Sequence, residues 1–185
     1  MVQVAVTAVP ASGPANLPAS VAGFDAADPT EAARLLQPCC ASRRWIDEVV
    51  AGRPYGSSAA LVERSEAALE TLSWDDVTEA LAAHPRIGER AGGEHREAAW
   101  SRQEQAGAAT AGDDAAAVAE QLRGGNVAYE QRFGFVFLIC ATGLSAPEML
   151  AALRKRLGHD ADAESSVVRI ELEKIVRLRL AKAFG

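Results

Sequence analysis

The sequence predicts an all-α fold in a single domain, and three observations lead there. Apolar residues recur at i+3 and i+4 spacing in one segment after another. Those segments are punctuated by Ser or Asp caps, Pro and Gly. No apolar/polar alternation is long enough to build a sheet. The chain has 185 residues, is 49% hydrophobic and carries 24% charged residues. That length suits one domain with a real core, and the composition excludes a wholly disordered chain.

The elements follow in order. Residues 1–16 combine small residues with Pro10 and Pro14 and read as a disordered leader, so the helical domain is expected over 17–185. Asp28-Pro29 opens a helix into EAARLL, with Pro at the first helical position, and Pro38 interrupts it. Trp45, Ile46, Val49 and Val50 mark a second helix that stops at Gly52. Ser57 or Ser58 caps a third, holding Leu61, Val62, Ala68 and Leu69. Ser73, with Asp75 and Asp76 in the first turn, opens another that runs to about His84. A Gly-rich loop from Gly88 to Gly93 precedes a polar helix from about Glu94 to Ala108. Asp113 begins a helix reaching Arg132. Phe133–Gly143 is a short apolar run that reads equally as a buried strand or as part of a buried helix. Ser145-Ala146-Pro147-Glu148 starts a helix ending at Gly158, and the last helix spans about Asp162 to Ala183.

Composition narrows the function. A net charge of −6 and an isoelectric point near 5.1 argue against a nucleic-acid binder. No apolar run reaches the roughly 18 residues of a membrane span. Cys39, Cys40 and Cys140 form neither a disulfide framework nor a CxxC pair, and His84, His95 and His159 are too dispersed for a zinc pattern. No metal is therefore expected. Of the 19 basic residues only Lys155, Lys174 and Lys182 are lysines, all in the C-terminal stretch. The Ala, Gly and Arg bias suggests a high-GC genome. No basic residue precedes Arg34, so neither a secretory signal nor a transit peptide is indicated, and a reducing cytoplasmic setting is expected.

Three features could carry chemistry. His84-Pro85 ends a helix, because Pro disfavours the α region for the residue before it. The macrodipole there favours a protonated imidazole, a proton donor near neutral pH; the alternative is a plain helix stop with a solvated ring. In SRQEQ, Ser101, Glu104 and Gln105 share one helical face, which Glu94, Glu97 and Ala108 extend. Such a polar helix is either solvated or lines a polar pocket. On the last helix, at 100° per residue, Val168, Leu172 and Ile175 form an apolar arc with Arg179 at its centre, while Arg177 falls opposite beside Arg169 and Glu173. An arginine so placed either sits in a buried ion pair, snorkels outward, or offers a guanidinium fork to a planar ligand.

HPRIGER (84–90), SRQEQAG (101–107), YEQRFGFVFLIC (129–140) and EKIVRLRL (173–180) occur together, in the order and spacing of one family. The chain resembles the OHCU decarboxylases of purine catabolism, from about Leu17 to the C-terminus, and CCASRRWIDEVVAGRPY resembles bacterial members. The resemblance implies a compact all-α bundle, a homodimer, no cofactor, and decarboxylation of 2-oxo-4-hydroxy-4-carboxy-5-ureidoimidazoline to (S)-allantoin. It implies His84, Glu104 and Arg179 as catalytic residues. It implies Pro85, Ser101, Gln105 and the stretch Phe137, Leu138, Ile139, Cys140 and Ala141 as substrate-binding. The chain carries Val136 where many members have proline. A rival reading from a different class is a non-catalytic helical module whose arginine-bearing faces dock an acidic partner; it predicts no small-molecule pocket.

Overall fold

The computed structural model describes residues 20–88, 100, 104 and 114–185. Among them are eight helices and no strand: α1 (Val21–Ala26), α2 (Pro29–Leu36), α3 (Arg43–Ala51), α4 (Ser58–Glu70), α5 (Trp74–Ala82), α6 (Asp114–Phe133), α7 (Ala146–Arg156) and α8 (Ala161–Phe184). The 1–16 leader lies outside the described residues. So does most of the polar helix expected over Glu94–Ala108, of which Trp100 and Glu104 are described and helical.

The helix starts follow local chemistry. Asp28 caps α2, Ser57 caps α4 and Asp160 caps α8, each side chain accepting from first-turn N–H groups. Ser73 with Asp76, and Ser145 with Glu148, form reciprocal capping boxes on α5 and α7. Each such cap contributes on the order of 1 kcal/mol.

Two apolar clusters fill the interior. The first joins α1–α5 to α8 around Phe24, Trp45, Leu61, Val77, Leu172 and Ile175. The second lies between α6 and α7, around Leu122, Tyr129, Met149 and Leu153, and includes Ile87.

The Phe133–Gly143 run is neither strand nor helix beyond Phe133. It threads the seam between the clusters. Phe137, Ile139 and Ala141 enter the second, while Val136, Leu138 and Cys140 pack on the first. Two-sided burial erases the alternation that would have marked an extended segment, which is why its apolar residues are continuous in sequence. With no strand beside it among the described residues, part of its backbone is held by side chains. Arg156 Nη1 donates to the Leu138 carbonyl (2.7 Å), and the Cys140 N–H donates to Glu171 Oε2 (2.7 Å).

Candidate active site

The end of α5, the seam segment and the middle of α8 converge on one cleft. His84, Pro85, Ile87, Glu104, Phe137, Leu138, Ile139, Ala141, Ile175 and Arg179 line it.

His84 follows the last turn of α5, its N–H donating to the Leu81 carbonyl (2.9 Å) before Pro85 ends the helix. The imidazole is not solvated, however: the residue is only 9% exposed. Its Nδ1 lies 3.0 Å from the Ala80 carbonyl. A carbonyl only accepts, so Nδ1 carries the hydrogen and Nε2 holds a bare lone pair. That Nε2 is buried and has no hydrogen-bond partner among the described residues. Burial, reinforced by the Arg179 guanidinium, pushes the histidine pKa from 6.5 down to about 4. The protonated imidazole expected from the helix end is thus overturned. Desolvation and a neighbouring cation outweigh the helix dipole, and the ring is a neutral acceptor at neutral pH.

Arg179 is 1% exposed, on the buried face of α8 where the apolar arc put it. Arg177, opposite, pairs at the surface with Glu66 (3.1 Å). The anionic partner of Arg179 is Glu104. Nη2 lies 3.1 Å from Oε2 and Nε 3.3 Å from Oε1, a side-on fork against a carboxylate. Nη1 donates to the Pro38 carbonyl (3.1 Å), just beyond the end of α2. Lys182, one turn along α8, reaches Glu104 Oε1 (3.3 Å). Among the described residues, Arg179 and Lys182 thus both reach the Glu104 carboxylate from one face of α8.

The apolar walls come from Ile87, Ile175 and the seam. Of the stretch expected at the site, Phe137, Leu138, Ile139 and Ala141 line the cleft, whereas the Cys140 side chain packs on the first cluster. Pro85 also lines the cleft. Ser101 and Gln105 lie outside the described residues.

Ile87 and Ile175 were not singled out as site residues from sequence, since an isoleucine on a helical or turn pattern reads as core. Two further supports carry only generic signals. Asn126 Nδ2 donates to the Ile87 carbonyl (2.8 Å), and Arg86 forks onto Glu130 (2.6 and 2.8 Å), so α6 braces the turn that holds His84. The described residues hold no group of His, Cys, Asp and Glu side chains able to bind a metal ion.

Known proteins share this architecture. The family model for OHCU decarboxylase matches residues 25–181. The uric acid degradation bifunctional protein of Arabidopsis thaliana is 31% identical over 151 residues, covering 80% of this chain; the chain spans only 45% of that protein's length. The 2-oxo-4-hydroxy-4-carboxy-5-ureidoimidazoline decarboxylase of Amia calva is 33% identical over 132 residues, 71% of this chain and 75% of its own. A crystal structure of OHCU decarboxylase in the presence of (S)-allantoin superposes with a TM-score of 0.69 at 30% identity, over 80% of this chain and 95% of that one. A match over most of the chain, joined to the fold it shares with the OHCU decarboxylase crystal structure, leads to one conclusion: the chain belongs to the OHCU decarboxylase family.

Proposed function

We propose that the protein decarboxylates 2-oxo-4-hydroxy-4-carboxy-5-ureidoimidazoline to (S)-allantoin during urate breakdown. One observation above all supports this beyond family membership. A neutral histidine with a bare Nε2 and an Arg–Glu fork face the same apolar cleft.

The substrate supplies its own electron sink, an imine beside the carbon that loses CO₂. As the carbon–carboxylate bond breaks, its electron pair becomes a ring double bond, and the imine pair moves to nitrogen, which takes a proton. The resulting enol then collapses. The hydroxyl loses its proton and becomes the carbonyl, while the neighbouring carbon gains a proton on one face. His84 Nε2 accepts the hydroxyl proton and returns it. An acceptor histidine fits that task better than a charged donor. CO₂ leaves uncharged while negative charge moves into the ring. Arg179 therefore helps most on a ring carbonyl oxygen, where charge grows, and least on the carboxylate. Glu104, with Ser101 and Gln105 beside it in sequence, takes the ureido and ring N–H groups. Pro85 and the 137–141 stretch hold the ring so that the breaking bond aligns with the π system.

The family match over 25–181 supports residues 17–185 as the working unit. The same reading takes the protein as a cytoplasmic homodimer with no resident cofactor. Among the described residues no helix is long and apolar enough to cross a membrane. A bacterial source rests on the sequence bias and on the resemblance of residues 39–55 to bacterial members; the relatives named above are from a plant and a fish.

The test is to generate substrate from urate with urate oxidase and 5-hydroxyisourate hydrolase, then follow circular dichroism. The protein should speed the appearance of optically active allantoin. A racemic product formed at the spontaneous rate would sink the reading.

A further inference from the structure

Behind the cleft wall lies a buried ionic cluster that no step of the proposed chemistry uses. Glu164, in the first turn of α8, is fully buried, and the Arg156 side chain, at the end of α7, is 6% exposed. Arg156 Nε and Nη2 both donate to Glu164 Oε1 (2.8 and 2.6 Å). The Tyr129 hydroxyl, from α6, donates to the same oxygen, and His159 Nδ1 lies 2.8 Å from Oε2. Buried pairs of this kind add little net stability over well-packed apolar side chains, so their retention calls for another reason.

The remaining arm of the fork supplies one. Arg156 Nη1 donates to the Leu138 carbonyl (2.7 Å), and the guanidinium lies over the Phe137 ring, 4.7 Å from its centroid. Phe137 and Leu138 both line the cleft. One planar cation therefore grips the backbone of a wall residue and the side chain of its neighbour, in a segment with no strand beside it among the described residues. Glu164 and Tyr129 fix that cation from α8 and α6, on either side of the seam.

We propose that Arg156 is a positioning residue for the reaction: locked by Glu164 and Tyr129, it sets the backbone of the 137–141 wall against which the substrate ring is held. The link to turnover rests on the decarboxylase reading above; the link to wall geometry does not.

Arg156→Lys keeps the charge but not the fork, so one ammonium cannot serve both Glu164 and the Leu138 carbonyl in the same geometry. Amide hydrogen exchange on the folded variant should show residues 137–141 exchanging at least tenfold faster, with the core of α3 and α4 unchanged. In the allantoin assay KM should rise at least fivefold, with kcat within about threefold of wild type. Tyr129→Phe, which keeps the ion pair, should shift both readouts in the same direction by less. If Arg156→Lys does not fold, Tyr129→Phe alone decides. Unchanged exchange at 137–141 in the folded variants overturns the proposal, even where melting temperature falls, because lowered stability alone is a merely structural role. Unchanged KM beside an active wild type overturns its link to turnover. An inactive wild type instead counts against the decarboxylase reading and leaves the exchange result to judge the wall.

Discussion

At the scale of single residues, His84 is the most exacting. Its neutral state has consequences in solution that a protonated imidazole would not share. With a pKa near 4, the Nε2 lone pair is available throughout the neutral range. Turnover limited by this group should be flat from about pH 6 to 8 and fall only as pH drops toward 4. An inflection near 6.5 in a pH–rate profile, with activity lost on deprotonation, would restore the donor role. Stability follows the same shift. The folded protein resists protonation at His84 while the unfolded chain accepts a proton near 6.5, so this group's stabilisation is complete above that pH. It is lost as pH falls from 6.5 toward 4, by about 2 kcal/mol on reaching pH 5. Urea unfolding of wild type and His84→Asn at pH 7 and pH 5 should show this share of the slope vanish in the variant. His84→Asn should also lower turnover by about 10²-fold or more. Arg179 and Arg177 make a second residue-scale contrast. Arg179→Lys keeps a cation near Glu104 but loses the fork, and kcat/KM should fall at least tenfold, by about 1.4 kcal/mol. Arg177→Ala removes only an exposed pair with Glu66, and should stay within about 1 kcal/mol and near wild-type rate. A dead Arg177 variant beside an active Arg179 variant would reverse the assignment of faces.

At the scale of elements, α6 carries adjacent glycines whose surroundings differ. A Cβ at Gly125 would meet Leu153 Cδ2 at 2.4 Å, whereas one at Gly124 would meet nothing within 4 Å. Alanine favours a helix interior over glycine by up to about 1 kcal/mol, so Gly124→Ala should raise the melting temperature. Gly125→Ala has the same propensity gain but must push a fully buried leucine out of a packed core. Overpacking costs about 1–3 kcal/mol, so the net effect should be destabilising. Two thermal melts check the pair, and a stabilised Gly125→Ala protein would show that α6 and α7 can separate cheaply. What sequence could reveal divides along similar lines. Caps and their partners are local, so the starts of α2, α4, α5 and α7 were legible. Arg179 was legible because one helical face dominates its surroundings. The seam was not, since its conformation depends on two clusters meeting from opposite sides. Nor were Arg156 and Glu164. A basic residue closing a helix and an acidic one opening the next read as solvated charges on helix ends until tertiary contact brings them together. The position of His84 was legible from Pro85, but its protonation state was not, because burial and Arg179 are supplied by distant parts of the chain.

At the scale of the whole molecule, the cleft lies on the seam, and its aliphatic and aromatic wall residues come from both clusters. Leu138 and Ile175 are in the first; Ile87, Phe137, Ile139 and Ala141 are in the second. Pockets favour such junctions because two packed units can present side chains to a shared space without either giving up its core. A ligand held there touches both halves and should stabilise them together. Trp45, Trp74 and Trp100 all pack in or on the first cluster, so tryptophan fluorescence reports that half, whereas helical circular dichroism reports the entire chain, α6 and α7 included. (S)-Allantoin at about 100 times its dissociation constant should add about 2.7 kcal/mol if it binds only the folded state. For a domain of this size that is a rise of roughly 5–10 °C. Both signals should shift by the same amount, and (R)-allantoin should shift them less, since a site that delivers a proton to one face must distinguish the resulting hydrogen. A rise confined to the fluorescence signal would mean that the ligand sits against the first cluster alone, and the placement of the reaction between the two halves would fall with it.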